Sequence, residues 1–156
     1  MNVVVNTSPL VALERLGRLD LLPTLFQELT RPQSVLDELM TGRSRYGVSE
    51  QLFRAEWLKT FPDPPEASFR PELGKGETAA IALAVQQKAD LILLDDLAAR
   101  NVAQEMELEV SGTLGVLIAG YRQHLLNDID PALEQLKTSG FHMSDTLIQH
   151  VKNQTM

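Results

Sequence analysis

Two runs of consecutive apolar residues, each followed at once by a polar side chain, constrain the fold of this chain most strongly. Residues 3–5 (VVV) end at Asn6, and residues 91–94 (LILL) end at Asp95. Continuous aliphatic runs of this length are typical of strands that are covered on both faces, as in parallel sheets flanked by helices. The sequence therefore predicts an α/β fold with polar side chains at the carboxyl ends of its buried strands.

Segments with apolar residues at helical spacing separate these runs. Ser8 and Pro9 favour a helix start, and a first helix is predicted from there to Gly17. Further helices are predicted over 19–27 with a break at Pro23, and over 33–41, 49–57, 77–88, 97–106, 114–123, 128–139 and 144–153, and strands over 1–5, 28–31, 58–61, 91–94 and 108–111. This alternation predicts a single domain over 1–156, with three α/β/α layers and a central, mainly parallel sheet of four to five strands.

The composition excludes several classes of protein. The chain has 14 basic and 21 acidic residues, a net charge of −7 and no cysteine. Disulfide scaffolds, thiolate metal sites and cysteine nucleophiles are therefore excluded. The acidity argues against a protein that coats nucleic acid by bulk charge, but not against an enzyme with a small basic patch. No basic leader and no apolar run of the roughly 18 residues needed for a membrane helix is present, so we expect a cytoplasmic protein.

Polar side chains are predicted to meet at one edge of the sheet. The carboxyl ends of parallel strands lie at the same edge, which is where open α/β sheets bind ligands. Asn6, Asp95 and Asp96 follow two of the predicted strands. Glu77 opens a helix that is apolar almost all round and is expected to be buried, and Glu38 lies beside the apolar face of another helix. A carboxylate at the mouth of a buried helix must be hydrogen-bonded, paired or bound to metal.

A cluster of carboxylates indicates a divalent cation. Without a cation such groups repel one another. Oxygen ligands without cysteine favour Mg²⁺ or Mn²⁺ over Zn²⁺. Such a site is best suited to phosphoryl chemistry, because the metal neutralises phosphate charge and activates a bound water. We therefore expect a metal site formed by Glu38, Glu77, Asp95 and Asp96.

Each candidate residue also has a purely structural interpretation. Asp95 or Asp96 can cap the helix that follows, Glu77 can complement its helix dipole, and Arg100 can pair with Asp96 instead of contacting phosphate. The weaker candidates are basic side chains for substrate phosphate and hydroxyls that position water or metal: Arg43, Arg45, Lys75 and Arg100, and Ser8 and Thr113.

Several segments resemble the PIN-domain nuclease family, and its bacterial VapC-like branch in particular. The resemblance covers nearly the whole chain and rests on VVVNTSPLVALERLGRLDLL, PQSVLDEL, LGKGETAAIALA, ADLILLDDLAAR and VSGTLGVL. It implies a metal-dependent ribonuclease with an RNA substrate, a homodimer, and a toxin that a small antitoxin silences. Residue by residue, it assigns the four active-site positions to Asn6, Glu38, Glu77 and Asp95, with Asp96 adjacent.

One residue departs from the family pattern. Asn6 stands where the family has an aspartate, and a neutral amide contributes no charge, so we expect weaker metal affinity. An alternative is therefore a catalytically weak PIN module that binds RNA or a protein partner without cleavage. Two other classes of acid-rich α/β protein, phosphoreceiver domains and haloacid-dehalogenase-type phosphatases, need acidic residues directly after the first strand, and NTSPL supplies none. The homodimer seam is expected on an exposed apolar surface between Leu10 and Phe26.

Overall fold

The computed structural model describes residues 1–42, 50–65, 72–141 and 143–155. In these ranges the strands form one parallel sheet in the order β3-β2-β1-β4-β5. The strands are β1 (Val3–Val5), β2 (Leu29–Pro32), β3 (Leu58–Phe61), β4 (Leu91–Leu93) and β5 (Val110–Ser111). The predicted three-layer α/β/α fold is confirmed, and the sheet has five strands.

Helices cover both faces of this sheet. Along the described chain they are α1 (Thr7–Arg15), α2 (Leu21–Phe26), α3 (Gln33–Thr41), α4 (Gln51–Arg54), α5 (Lys75–Gln87), α6 (Leu97–Glu105), α7 (Thr113–Arg122), α8 (Asp130–Thr138) and α9 (Asp145–Gln154). None of them has the length and the run of apolar side chains needed to cross a bilayer.

The central strand β1 is covered on both faces, as its three valines predict. Val3 and Val5 pack in a core with side chains of α1, α2, α7 and α8, whereas Val4 packs in a second core with α5 and α6. All three valines are fully buried. Burying a valine side chain stabilises a fold by roughly 1.5–3 kcal/mol, so this short strand contributes several kcal/mol.

The order in which the chain adds strands to the sheet switches between β1 and β4. Strands β2 and β3 lie on one side of β1, and β4 and β5 lie on the other. Val5 of β1 is level with Leu93 of β4, and the Asn6 N–H donates to the Leu93 carbonyl at 3.1 Å. The two strands therefore end together, which places Asn6 beside the segment that begins with Asp95. In open α/β sheets such a switch point is the usual ligand site.

Three local predictions about helices were wrong in detail. Helix α1 begins at Thr7, so Ser8 lies inside the first turn and does not cap the helix. Pro23 does not break α2, because it is the third residue of that helix, where a backbone N–H has no partner within the helix. Helix α5 is an outer layer and is not buried all round, since Val85 is 41% exposed.

The early helices do not offer the exposed apolar seam that was expected for a dimer. Leu10, Leu13, Leu21 and Leu22 are fully buried against the sheet and the later helices. Apolar residues at this spacing can face either a partner subunit or the core. Here they face the core, because α7 and α8 pack on the same face of the sheet.

Candidate functional site

Asn6 carries a buried polar atom, its side-chain oxygen Oδ1. The residue directly follows β1 and is only 4% exposed. Within the described residues, its Oδ1 atom is buried and accepts no hydrogen bond. Leaving such an oxygen unpaired costs about 1–3 kcal/mol, so an interaction with a ligand would recover that free energy. Asn6 lines a cavity of about 590 Å³, here named the first cavity, together with Glu38 and Glu77.

Glu38 reaches from α3 to the beginning of two other helices. Its Oε1 atom accepts the Gly76 N–H at 3.0 Å, and its Oε2 atom accepts the Thr7 hydroxyl at 2.6 Å. Both oxygens are therefore fixed in position by protein donors. A carboxylate has about four acceptor sites, so each oxygen keeps capacity for a further ligand.

Glu77 lies in the first turn of α5, where its Oε1 atom accepts the Gly74 N–H at 2.9 Å. Burial raises the pKa of Glu77, and the bond from Gly74 opposes this rise. The negative charges of Asp96 and Glu38 raise the pKa further. Glu77 thus occupies an environment that disfavours its charge, which a bound cation would reverse.

Asp95 is held by the residues predicted as accessory. Its Oδ1 atom accepts the Thr113 N–H at 2.7 Å, and its Oδ2 atom accepts the hydroxyls of Thr113 at 2.7 Å and Ser8 at 3.0 Å. Asp96 instead caps α6, because its Oδ2 atom accepts the Ala99 N–H at 3.0 Å. The capping interpretation therefore applies to Asp96, while Asp95 faces α7 and α1.

The predicted site residues are divided between two adjoining cavities. Asp95, Asp96 and Arg100 line a second cavity of about 810 Å³. Ser8, Glu77, Gly140 and Phe141 line both cavities, which therefore adjoin and are together named the acidic cleft. Asn6, Glu38, Glu77, Asp95 and Asp96 therefore all line the acidic cleft.

The carboxylates do not form a compact cluster. Across the described ranges, no group of three or more Asp, Glu or His side chains has the spacing to hold a metal ion. The donor set nevertheless suits a hard cation, because every donor is an oxygen and the buried Asn6 Oδ1 has no partner among the described residues. Like charges repel, so the metal-free arrangement is expected to be wider than the metal-bound one.

The basic candidates differ in position. Arg100 lines the second cavity, and its guanidinium lies beside Gly112. The expected pair between Arg100 and Asp96 is not among the ion pairs of the described residues. Lys75 is exposed at the start of α5 and lines neither cavity. Arg43 and Arg45 lie outside the described residues.

Four residues of the site were missed by sequence analysis. Arg15 lines the first cavity. Residues seven apart share a helix face, so the spacing of Arg15 from the candidate Ser8 could have indicated that both face the same cleft. The others are Thr7, Gly76 and Gly112, which contact or make room for Glu38 and Asp95. No sequence signal marks them, because their roles depend on carboxylates from distant segments.

Glu77→Gln is expected to raise the thermal stability of the metal-free protein at neutral pH. A raised folded-state pKa means that the stability is greatest below the usual value of 4.5 and falls as pH rises through the folded-state value. Glutamine avoids this loss and can still accept the Gly74 N–H. Because the residue is partly exposed, we expect a gain of only about 1–3 °C.

Unfolding midpoints in EDTA from acid to neutral pH test the effect of Glu77→Gln, with Glu134→Gln on the exposed face of α8 as control. A difference that persists unchanged in acid would contradict it.

The fold and the cleft define a class of protein, namely three-layer α/β/α domains with oxygen donors at the switch point of a parallel sheet. A family model described as a PIN domain (DUF3368) matches residues 2–156. The chain therefore belongs to the PIN-domain family, whose members are generally nucleases. The predicted resemblance to PIN domains is confirmed at this level, and the VapC-like branch stays a prediction.

A solved structure shares the fold. It is a PilT N-terminus domain protein from the hyperthermophilic archaeon Sulfolobus solfataricus P2, with a TM-score of 0.59 and 16% sequence identity. The match covers 76% of this chain and 92% of the archaeal chain. At this identity the similarity shows the fold alone. No curated protein matches the chain.

Proposed function

We propose that this protein is a metal-dependent endoribonuclease that hydrolyses phosphodiester bonds in RNA with Mg²⁺ or Mn²⁺. The observation that carries the proposal is the buried Oδ1 atom of Asn6, which has no hydrogen-bond partner among the described residues and lies in a cavity that Glu38 and Glu77 also line. Buried oxygens are rarely left without a partner, and a cation that binds in this cavity would supply one to Asn6 Oδ1.

The oxygen donors are the residues that would hold the metal. Asn6, Glu38 and Glu77 line the first cavity, and Asp95 and Asp96 line the adjoining one. When bound, the cation would neutralise phosphate charge and lower the pKa of a coordinated water. The raised pKa of Glu77 supports this assignment, because burial first, and then the charges of Asp96 and Glu38, disfavour a bare carboxylate there, and a cation would compensate its charge.

The substrate phosphate would be bound by local positive charge. Arg100 in the second cavity and Arg15 in the first lie on the walls of the acidic cleft. With a net charge of −7, the chain must hold RNA through such residues and through the bound metal. Binding is therefore expected to be weak, metal-dependent and sensitive to salt.

Arg100→Gln is expected to weaken RNA binding about two- to tenfold and to leave Mn²⁺ binding unchanged, since one phosphate contact is lost and no metal ligand is touched. Fluorescence anisotropy with a labelled single-stranded RNA measures the affinity, and calorimetry measures the metal. Arg54→Gln on α4, which lines neither cavity of the cleft, is the control. Equal losses in both variants would show a general charge effect instead of a contact in the cleft.

A cleavage assay tests the proposed function directly. Single-stranded and structured RNAs are incubated with the purified protein and Mn²⁺, and in parallel with EDTA. We expect cleavage that EDTA abolishes and that increases with Mn²⁺ concentration. Absence of cleavage of every RNA, together with absence of Mn²⁺ binding, would contradict the nuclease proposal. RNA binding under those conditions would favour the alternative, a PIN module that binds without cutting, which the neutral Asn6 makes a serious candidate.

We further propose a toxin-like role with a small antitoxin as partner, and a homodimer. These proposals rest on the similarity of the motifs from NTSPL to SGTLGVL to VapC-like proteins. Growth arrest on expression that a small neighbouring reading frame reverses would support the toxin role. A monomeric mass by light scattering at micromolar concentration would contradict the dimer.

A further inference from the structure

The absence of a side chain at Gly76 determines where the Glu38 carboxylate can lie. Gly76 is the second residue of α5. A Cβ atom there would lie 2.5 Å from Oε1, 2.8 Å from Cδ and 2.9 Å from Oε2 of Glu38. All three distances are shorter than van der Waals contact allows, so any other residue at position 76 must displace this carboxylate.

Thr7 holds the same carboxylate through its other oxygen. Its hydroxyl donates to Glu38 Oε2 at 2.6 Å, while the Gly76 N–H donates to Oε1 at 3.0 Å. Thr7 is only 8% exposed, so water competes little for this bond. Hydrogen bonds to a charged acceptor are shorter and stronger than those between neutral groups.

The second cavity of the acidic cleft has a similar construction around Asp95. A Cβ atom on Gly112 would lie 2.6 Å from Asp95 Oδ1 and 2.9 Å from the Leu94 carbonyl oxygen. Thr113 donates its N–H and its hydroxyl to the two oxygens of Asp95, each at 2.7 Å. Both carboxylates thus lie close to a glycine at a helix start and accept one backbone N–H and one threonine hydroxyl, and Asp95 also accepts the Ser8 hydroxyl.

We propose that Gly76 and Thr7 are positioning residues that hold the Glu38 carboxylate in the acidic cleft for metal binding. The inference rests on the proposed function. It explains a glycine inside a helix, where alanine is the more favourable residue. The atoms that a Cβ would meet are the end of a flexible side chain. Alanine is therefore accommodated by moving Glu38 away, so that the fold is kept and the ligand is lost.

The test compares four variants with the wild type: Gly76→Ala, Thr7→Val, Thr7→Ser and Thr78→Val. Mn²⁺ binding is measured by calorimetry and the unfolding midpoint in EDTA by circular dichroism. We expect Gly76→Ala and Thr7→Val to weaken Mn²⁺ binding roughly tenfold, as is typical when a residue that orients a ligand is lost. Thr7→Ser keeps the donor and is expected to bind Mn²⁺ like the wild type.

Thr78→Val is the matched control. Thr78 is also 8% exposed, and its hydroxyl donates to the Gly74 carbonyl at 3.0 Å, so the acceptor is not a carboxylate. This variant is expected to lose some stability and to keep its Mn²⁺ affinity. Gly76→Ala is expected to show the reverse, with weaker Mn²⁺ binding and an unfolding midpoint close to that of the wild type. At position 76, a purely structural role would lower stability and metal affinity together.

Two results of the Mn²⁺ measurements would overturn the inference: binding that is unchanged in Gly76→Ala and Thr7→Val, or a loss of equal size in Thr78→Val. A wild type that binds no Mn²⁺ would instead contradict the proposed function. The hydrogen bond between Thr7 and Glu38 is then tested in EDTA. Thr7→Val should lower the unfolding midpoint less in a Glu38→Ala background than in the wild type, because the bond is already absent there. Additive shifts would overturn the positioning role as well.

Discussion

Asp95→Asn abolishes RNA cleavage while the protein stays folded: this is the largest effect on activity that we expect. The loss should be at least about a hundredfold, because removal of a ligand's charge exceeds the 10–100-fold cost of disturbing residues that only orient ligands. The amide oxygen can still accept the Thr113 N–H that Asp95 Oδ1 accepts at 2.7 Å. The hydroxyls of Ser8 and Thr113 can rotate to accept from the new amide N–H. Charge is therefore removed with little change in packing.

Asp63→Asn is a matched control for this variant. Asp63 accepts the backbone N–H of Ser34 and the hydroxyl of the same residue, just as Asp95 accepts both from Thr113. It lines neither cavity of the acidic cleft. Both variants should lose similar stability, measured as unfolding midpoints in EDTA, and only Asp95→Asn should lose cleavage. EDTA-sensitive cleavage that survives in Asp95→Asn would assign the activity to another site or a contaminant.

The arrangement of the strands was predictable from local sequence. Residues 3–5 and 91–94 are short, continuously apolar runs of the kind that buried strands have, and parallel strands present their ends at one edge. Register then brings Asn6 next to the start of Asp95-Asp96, since Val5 is level with Leu93. The approximate location of the site follows from these facts alone.

The contacts within the cleft were not predictable in this way. Ser8 has the residue type of a helix cap, and only the position of Asp95, 87 residues later, shows that its hydroxyl is used elsewhere. Gly76 is required because of Glu38, which lies 38 residues earlier in the chain. A periodic pattern tells which face of a helix is apolar and does not tell which distant side chain lies opposite. The same limit explains why a dimer seam was expected between Leu10 and Phe26, where Leu10, Leu13, Leu21 and Leu22 are buried.

The electrostatics of the cleft connect these contacts to the identity of residue 6. Glu77 already carries a raised pKa because it is partly buried near Glu38 and Asp96. An aspartate at position 6, which the PIN pattern expects, would add a further buried negative charge beside Glu38 and Glu77. The neutral Asn6 avoids this repulsion in the metal-free protein and gives up part of the attraction for a cation. Compared with an aspartate, Asn6 is therefore expected to make the metal-free protein more stable and its affinity for the proposed cation lower.

Asn6→Asp should therefore destabilise the metal-free protein and strengthen metal binding. Asn6 is 4% exposed and its Oδ1 has no partner among the described residues, so the new carboxylate would be buried and uncompensated. We expect the unfolding midpoint in EDTA to fall by about 5 °C or more, equivalent to roughly 1–2 kcal/mol at this chain length.

With Mn²⁺ the sign of the effect reverses. The added charge should tighten Mn²⁺ binding about tenfold or more, which corresponds to about 1.4 kcal/mol, and the midpoint should rise with Mn²⁺ concentration more steeply than in the wild type. Cleavage at low Mn²⁺ should increase in parallel. Asn101→Asp, which adds the same charge at an exposed position of α6, controls for net charge. If Asn6→Asp lowered the midpoint and Mn²⁺ restored none of it, residue 6 would not be a metal ligand, and the neutral amide would be there for folding alone.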